Sequence, residues 1–215
     1  MHDETVKINS QRAEVYRLLS ACYCLPGKEF LEEGLADSLA SALEPVCPGA
    51  VPYAREMADA LSNSDLERGI LVDYSALFVG PFKLLAPPYG SVYLENDKRL
   101  MGDSTIDAVL TYRKAGVELD ADQQKDMPDN IAVELEFMYF LILKELDCRA
   151  ESKPEEAAKY AVIRRDFLKR HLGAWAFKFA DAVKTGAKNQ FYKNLALCTE
   201  AFLRREMEQD LAVSL

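Results

Sequence analysis

Ile131, Leu135, Met138, Ile142 and Leu146 recur at spacings of four, three, four and four. This is the one-face repeat of a helix with 3.6 residues per turn, and it does not fit the two-residue alternation of a strand. The stretch is the most apolar in the chain, so it predicts a helix at the centre of the core. The same periodicity holds at both ends. Ile8, Val15, Leu19 and Cys22 share a face, with Gln11, Arg12, Glu14 and Arg17 between them, and Pro26 and Gly27 end that helix. A short helix over Phe30 to Leu43 is closed by Pro45, and another spans Tyr53 to Leu61. Ser64 followed by Glu67 has the form of a capping box, opening a helix that carries Leu71, Leu77 and Phe78 to Gly80. Thr105 to Ala115 is helical, stopped by Gly116. Beyond the centre, Ser152-Lys153-Pro154-Glu155 repeats the capping logic for a helix running to His171. A short segment then carries Trp175, Phe177 and Phe179, and Phe191, Leu195, Cys198 and Phe202 stripe a last long helix. No alternating β-branched run is long enough for a strand, and no internal repeat or low-complexity tract occurs. The expected fold is all-α, a single-domain helical bundle over residues 1–215 with a long proline-rich loop, monomeric or homodimeric.

That loop covers residues 80 to 103. Gly80-Pro81 and then Pro87-Pro88-Tyr89-Gly90 preclude a continuous helix, because proline lacks the amide donor and drives the preceding residue out of the α conformation. With Phe82, Leu84, Leu85, Tyr89, Val92, Tyr93 and Leu94 it is too apolar for disorder, and it is expected to pack on the helices. Val117 to Asp129 forms a second, acidic connector, and Pro128 suits the first turn of the central helix.

Charge and composition narrow the function. Lys and Arg total 26 against 35 for Asp and Glu, a net charge of −9, which opposes binding to a phosphate backbone and argues against a nucleic-acid partner. The longest apolar run, Phe137 to Leu143, falls far short of the roughly 20 residues that cross a bilayer. The acidic start, Met1-His2-Asp3-Glu4, is unlike a secretory signal, so the expected location is the cytoplasm. Five cysteines, an odd number, read as reduced thiols and mostly as small core residues.

Catalytic chemistry lacks its usual residues. The chain has 2 histidines, His2 and His171, which leaves no multi-histidine metal site, and His171 reads as a helix C-terminal histidine complementing the dipole. Cys22 and Cys24 are spaced wrongly for a Cys-x-x-Cys pair, and Glu134 and Glu136 lack the Glu-x-x-His pattern of bundle metal sites. No Walker loop, Gly-x-Gly-x-x-Gly run or nucleophile elbow is present. No enzyme activity, metal or cofactor is therefore expected. Seven carboxylates lie between Val117 and Glu136 (Glu118, Asp120, Asp122, Asp126, Asp129, Glu134 and Glu136) against the single cation Lys125. Glu118 to Asp126 read as a solvated acidic loop. Asp129 and Glu134 stand where the most buried helix begins, where a carboxylate is costly without a partner, and a cationic peptide is one candidate for that partner.

Three blocks carry a family resemblance: Tyr74-Ser75-Ala76-Leu77-Phe78-Val79-Gly80-Pro81, Pro87-Pro88-Tyr89-Gly90-Ser91-Val92-Tyr93-Leu94, and Pro128-Asp129-Asn130-Ile131-Ala132-Val133-Glu134-Leu135-Glu136-Phe137-Met138. With the later Phe167-Leu168-Lys169-Arg170-His171-Leu172, Trp175, Phe179 and Phe191-Tyr192, the chain resembles the TorD/DmsD/NarJ family of redox-enzyme maturation chaperones. The resemblance implies a helical cytoplasmic chaperone without catalysis. It would bind the N-terminal region, often a twin-arginine signal peptide, of a molybdopterin oxidoreductase subunit and assist cofactor insertion and assembly. Adjacent arginines followed by an apolar stretch ask for carboxylates beside a hydrophobic groove. The resemblance places the peptide site at Pro87, Pro88, Tyr89, Ser91 and Tyr93 with Pro128, Asp129 and Asn130, and Glu134 joins them as a second candidate partner for a peptide cation. Asn130 stands where relatives commonly carry histidine, so it cannot become cationic. Helix capping by Asp129 and Asn130, and core anchoring by Tyr89 and Tyr93, stand as alternatives to peptide contact. Charge reversal at Asp129 is expected to weaken peptide binding more than stability. The runner-up function is a helical small-molecule or nucleotide-binding protein, or an enzyme, using the same groove.

Overall fold

The computed structural model describes residues 2–27, 34–63, 69–81, 83–95, 100–118 and 126–213. Among them the regular structure is helical: α1 (His2–Tyr23), α2 (Leu35–Leu43), α3 (Val51–Ser62), α4 (Leu71–Tyr74), α5 (Gly90–Leu94), α6 (Asp103–Lys114), α7 (Ile131–Ala150), α8 (Pro154–Arg170), α9 (Leu172–Gly186) and α10 (Gln190–Val213). A 3₁₀ turn over Pro48–Ala50 precedes α3, and the wider π-helical segment Ser75–Val79 continues α4. The Ser64 and Glu67 capping box lies outside the described residues, as does the start of the helix expected from Phe30.

The all-α expectation holds, and α7 is the central helix the spacing predicts. It packs along α1 on one side and α8 on the other, while α10 joins α3 and α9. Ile131, Leu135, Met138 and Ile142 are buried in a hydrophobic cluster that runs from Ala13 in α1 to Leu203 in α10. Polar contacts fix the register of this bundle. Ser20 Oγ donates to the Ala132 carbonyl at 2.8 Å, tying α1 to the head of α7. Arg12 on α1 forms a two-point ion pair with Glu206 on α10, at 2.8 and 2.7 Å. The buried Asp73 accepts from the Lys188 and Asn189 amides at 2.9 and 2.7 Å, satisfying donors at the head of α10.

Four local readings are corrected. The segment with Trp175 is a helix of 15 residues, α9, not a short stretch. The Ser152 side chain does not cap α8: Ser152 takes a left-handed φ of 57°, Lys153 occupies the cap position, and Pro154 starts the helix. Pro128 lies in a turn ahead of α7, which begins at Ile131 with Asn130 as its cap. The loop from 80 contains the helical turn α5. No described helix is long and apolar enough to cross a membrane.

Candidate functional site

The proline-rich loop is held against the head of α7 by main-chain bonds. The Gly90 amide donates to the Asp129 carbonyl at 2.8 Å and the Ile131 amide to the Pro88 carbonyl at 2.9 Å, pairing Tyr89 with Asn130 as an isolated antiparallel bridge. Asp129 Oδ2 then accepts the Ser91 amide at 2.8 Å, satisfying a donor at the start of α5. Asn130 Oδ1 accepts the Ala132 amide at 2.8 Å, the capping role open to it from sequence. Beneath, the Tyr112 hydroxyl donates to the Pro128 carbonyl at 2.6 Å.

Trp175 on α9 packs against the loop. Its Nε1 donates to Glu134 Oε2 at 2.9 Å and Tyr93 stacks on its ring at 5.6 Å. Gly90 passes so close that a Cβ there would lie 2.9 Å from Trp175 Nε1, so only glycine fits without displacing the indole. Glu134 and Asp129 are each only 1% exposed. Burial pushes the Glu134 carboxyl well above the usual range; the Trp175 bond opposes this, and the Asp129 charge adds to it. Folding therefore raises the proton affinity of Glu134. Its contribution to stability is full below its unfolded value and is lost as pH rises through the folded one. Glu134→Gln keeps an acceptor for Trp175 without a charge to bury. The expected result is a variant whose advantage over the parent is larger at about pH 8 than at about pH 5, growing by no more than about 1.4 kcal/mol per pH unit. Urea melts at both pH values check this, and a variant less stable than the parent at the higher pH refutes it.

Beside the Tyr89–Asn130 bridge opens a cavity of about 350 Å³ lined by Tyr23, Cys24, Tyr74, Phe78, Val79, Leu84, Pro88, Tyr89, Leu100, Asp126, Met127, Asn130 and Ala132. Its wall is largely aromatic and aliphatic, with the exposed Asp126 carboxylate at its edge and no cation among the described lining residues. Burial, with a further contribution from the Asp126 charge, pushes the Tyr74 hydroxyl up to about 12 and raises Tyr89. Cys24 rises for the same two reasons, with Glu136 adding to them. An apolar trough with negative potential at one edge can take an apolar side chain flanked by a cation.

The structure divides the nine sequence-derived site residues. Pro88, Tyr89 and Asn130 line the cavity. Pro87, Tyr93 and Pro128 are half-buried and outside its lining, while Ser91, Asp129 and Glu134 are buried, Asp129 holding the Ser91 amide and Glu134 the Trp175 indole. The other wall residues escaped the sequence-derived site list, Tyr23, Tyr74, Phe78 and Asp126 among them. Tyr74 and Phe78 stand in the first family-like block, four residues apart and so on one face of a helical turn, which is the signal that could have found them. His171 stands at the C-terminal end of α8, where the sequence puts it. It sits at the break between α8 and α9, stacked on Phe167 at 4.7 Å, with Nε2 2.9 Å from Asp107 Oδ2. Burial lowers its proton affinity despite the aspartate.

Comparison with known proteins gives a consistent result. The family model described as nitrate reductase delta subunit matches residues 29–181. A perchlorate reductase assembly chaperone protein of Dechloromonas aromatica is 29% identical over 97% of this chain and 93% of its own length. The chaperone protein TorD of Vibrio parahaemolyticus is 26% identical over 94% of this chain and 95% of its own. A crystal structure from Archaeoglobus fulgidus, ascribed to redox enzyme maturation, superposes with a TM-score of 0.57 over 89% of this chain and 93% of that one, at 23% identity, and so speaks to the fold.

Proposed function

From the premise that this chain belongs to the nitrate reductase delta subunit family, the NarJ/TorD family of assembly chaperones rather than enzymes, we propose that it is a cytoplasmic chaperone of a molybdopterin oxidoreductase subunit. It recognises the N-terminal peptide of that subunit, a twin-arginine signal or a similar segment, and retains the subunit until its cofactor is inserted. The observation that carries this reading is the aromatic cavity with Asp126 at its edge. An apolar residue of the peptide fills the trough, and a neighbouring arginine meets the carboxylate. Pro88, Tyr89 and Asn130 contact the peptide. Pro87, Tyr93 and Pro128 border it, and Asp129, Glu134 and Ser91 act by holding the loop in place.

Capture of the tagged chain's partners from its source, grown under respiratory induction, followed by mass spectrometry, identifies the subunit. A calorimetric titration with the N-terminal peptide of that subunit then tests the site. Asp126→Lys and Val79→Glu alter exposed wall positions, where substitutions normally change stability by less than about 0.5 kcal/mol. Each is expected to weaken peptide binding about tenfold or more, the scale of one lost charge-assisted or apolar contact. Unchanged affinity in both variants refutes the cavity as the peptide site, and recovery of no oxidoreductase subunit refutes the chaperone reading itself.

A further inference from the structure

Helix α6 presents an apolar face that no described element covers. Ile106 is 58% exposed and Leu110 53%, one turn apart, where a soluble helix would ordinarily place polar residues. The same stripe carries Asp103 at the N-terminal end and Arg113 and Lys114 at the C-terminal end, all exposed. None of these three makes an ion pair with another described residue. The spacings 103, 106, 110 and 113 or 114 follow the three-and-four step that keeps side chains on one helical face.

This arrangement is self-complementary. If two copies of α6 lie antiparallel about a two-fold axis midway between Ile106 and Leu110, Ile106 of one faces Leu110 of the other, twice. The same axis sets Asp103 of each copy opposite Arg113 of the other, with Lys114 beside it. An isologous contact requires that kind of inverted order, apolar at the centre with opposite charges at the two ends. A parallel arrangement would set like charges together. We propose that α6 is a homodimer interface, formed by antiparallel pairing of the Asp103–Lys114 helix with its counterpart in a second copy of this chain.

The contact is small. A helix of 12 residues is about 18 Å long, so the pair falls below the roughly 1,200 Å² of stable complexes and belongs with transient ones. A monomer–dimer equilibrium with a Kd of about 10–100 μM is expected. The proposal is independent of the peptide cavity and of the chaperone assignment.

Sedimentation equilibrium across a concentration series, on the full chain, tests it. Ile106→Glu places a charge at the centre of each half and is expected to weaken dimerisation more than tenfold with the helical signal unchanged. Asp103→Lys sets like charges across the axis and is expected to weaken it several-fold. Combining Asp103→Lys with Arg113→Glu and Lys114→Glu inverts both ends together and is expected to restore it, which a merely structural defect would not do. A chain that stays monomeric to about 1 mM overturns the proposal. So does a dimer indifferent to Ile106→Glu, or a triple variant no better than Asp103→Lys alone.

Discussion

Glu206→Ala is expected to lower the stability of this protein by about 3–5 kcal/mol, the cost of breaking a buried ion pair by removing one partner. The Glu206 side chain is 0% exposed and that of Arg12 11%. The carboxylate accepts from Arg12 Nε and Nη2 at 2.8 and 2.7 Å and from the Tyr16 hydroxyl at 3.1 Å. These bonds join the first and last long helices, 194 residues apart, and so fix α10 against the bundle. Truncation removes the acceptor of a desolvated guanidinium and of a phenol at the same time. The double variant Arg12→Met with Glu206→Leu is expected to recover most of the loss, because apolar groups of similar volume need no compensating charge. Urea denaturation of the parent, both single variants and the double variant closes the cycle. A Glu206→Ala chain within about 1 kcal/mol of the parent would refute the assignment of this pair as a principal tie between α1 and α10.

Partners so far apart also mark the boundary of what the amino-acid order discloses. Helix α7 is legible because its large aliphatic residues repeat every three or four positions and the repeat survives in the core as Ile131, Leu135, Met138 and Ile142. Helix α9 follows the same rule, but Leu172, Trp175, Ala176, Phe179, Ala180 and Val183 make its buried face partly from alanines. Small residues do not stand out against the background, and Gly173 and Gly186 obscure its ends. Gly186 itself is explained only in three dimensions, since a Cβ there would meet Leu85 at 2.9 Å. The α5 turn is hidden because it spans only 5 residues behind two prolines. At the site, the sequence shows that a carboxylate at position 129 or 134 needs a partner, and the capping role of Asn130 follows from its place. The partners themselves, the Ser91 amide and the Trp175 indole, lie 38 and 41 residues away and share no spacing rule with them. Asp126 reads from sequence as one more acid of a solvated connector, and only the fold sets it at the edge of an aromatic cavity.

Asp129→Lys is expected to destabilise the protein by about 3 kcal/mol or more, reversing the order expected from sequence, in which binding would suffer more than stability. Asp129 is 1% exposed, and its Oδ2 holds the Ser91 amide while its main chain holds Gly90. A lysine there removes an acceptor, buries a cation and adds length where the loop and α7 are in contact. Glu134 is no ready counter-charge, because burial drives its own carboxyl toward the neutral form. The loop is expected to lift, carrying Gly90 and Tyr93 away from Trp175, so the emission of the single tryptophan shifts to the red. Asp129→Asn keeps an oxygen for the Ser91 amide and is expected to cost only about 1 kcal/mol. Asp126→Lys, with the same charge change three residues earlier on an exposed position, isolates the other variable: it should lose peptide affinity with an unaltered melt. Thermal melts and tryptophan emission of the three variants separate the two roles. An Asp129→Lys chain that melts with the parent and keeps its emission maximum would place that carboxylate at the surface, as a direct partner of the peptide cation, and would remove the loop-holding role assigned to it.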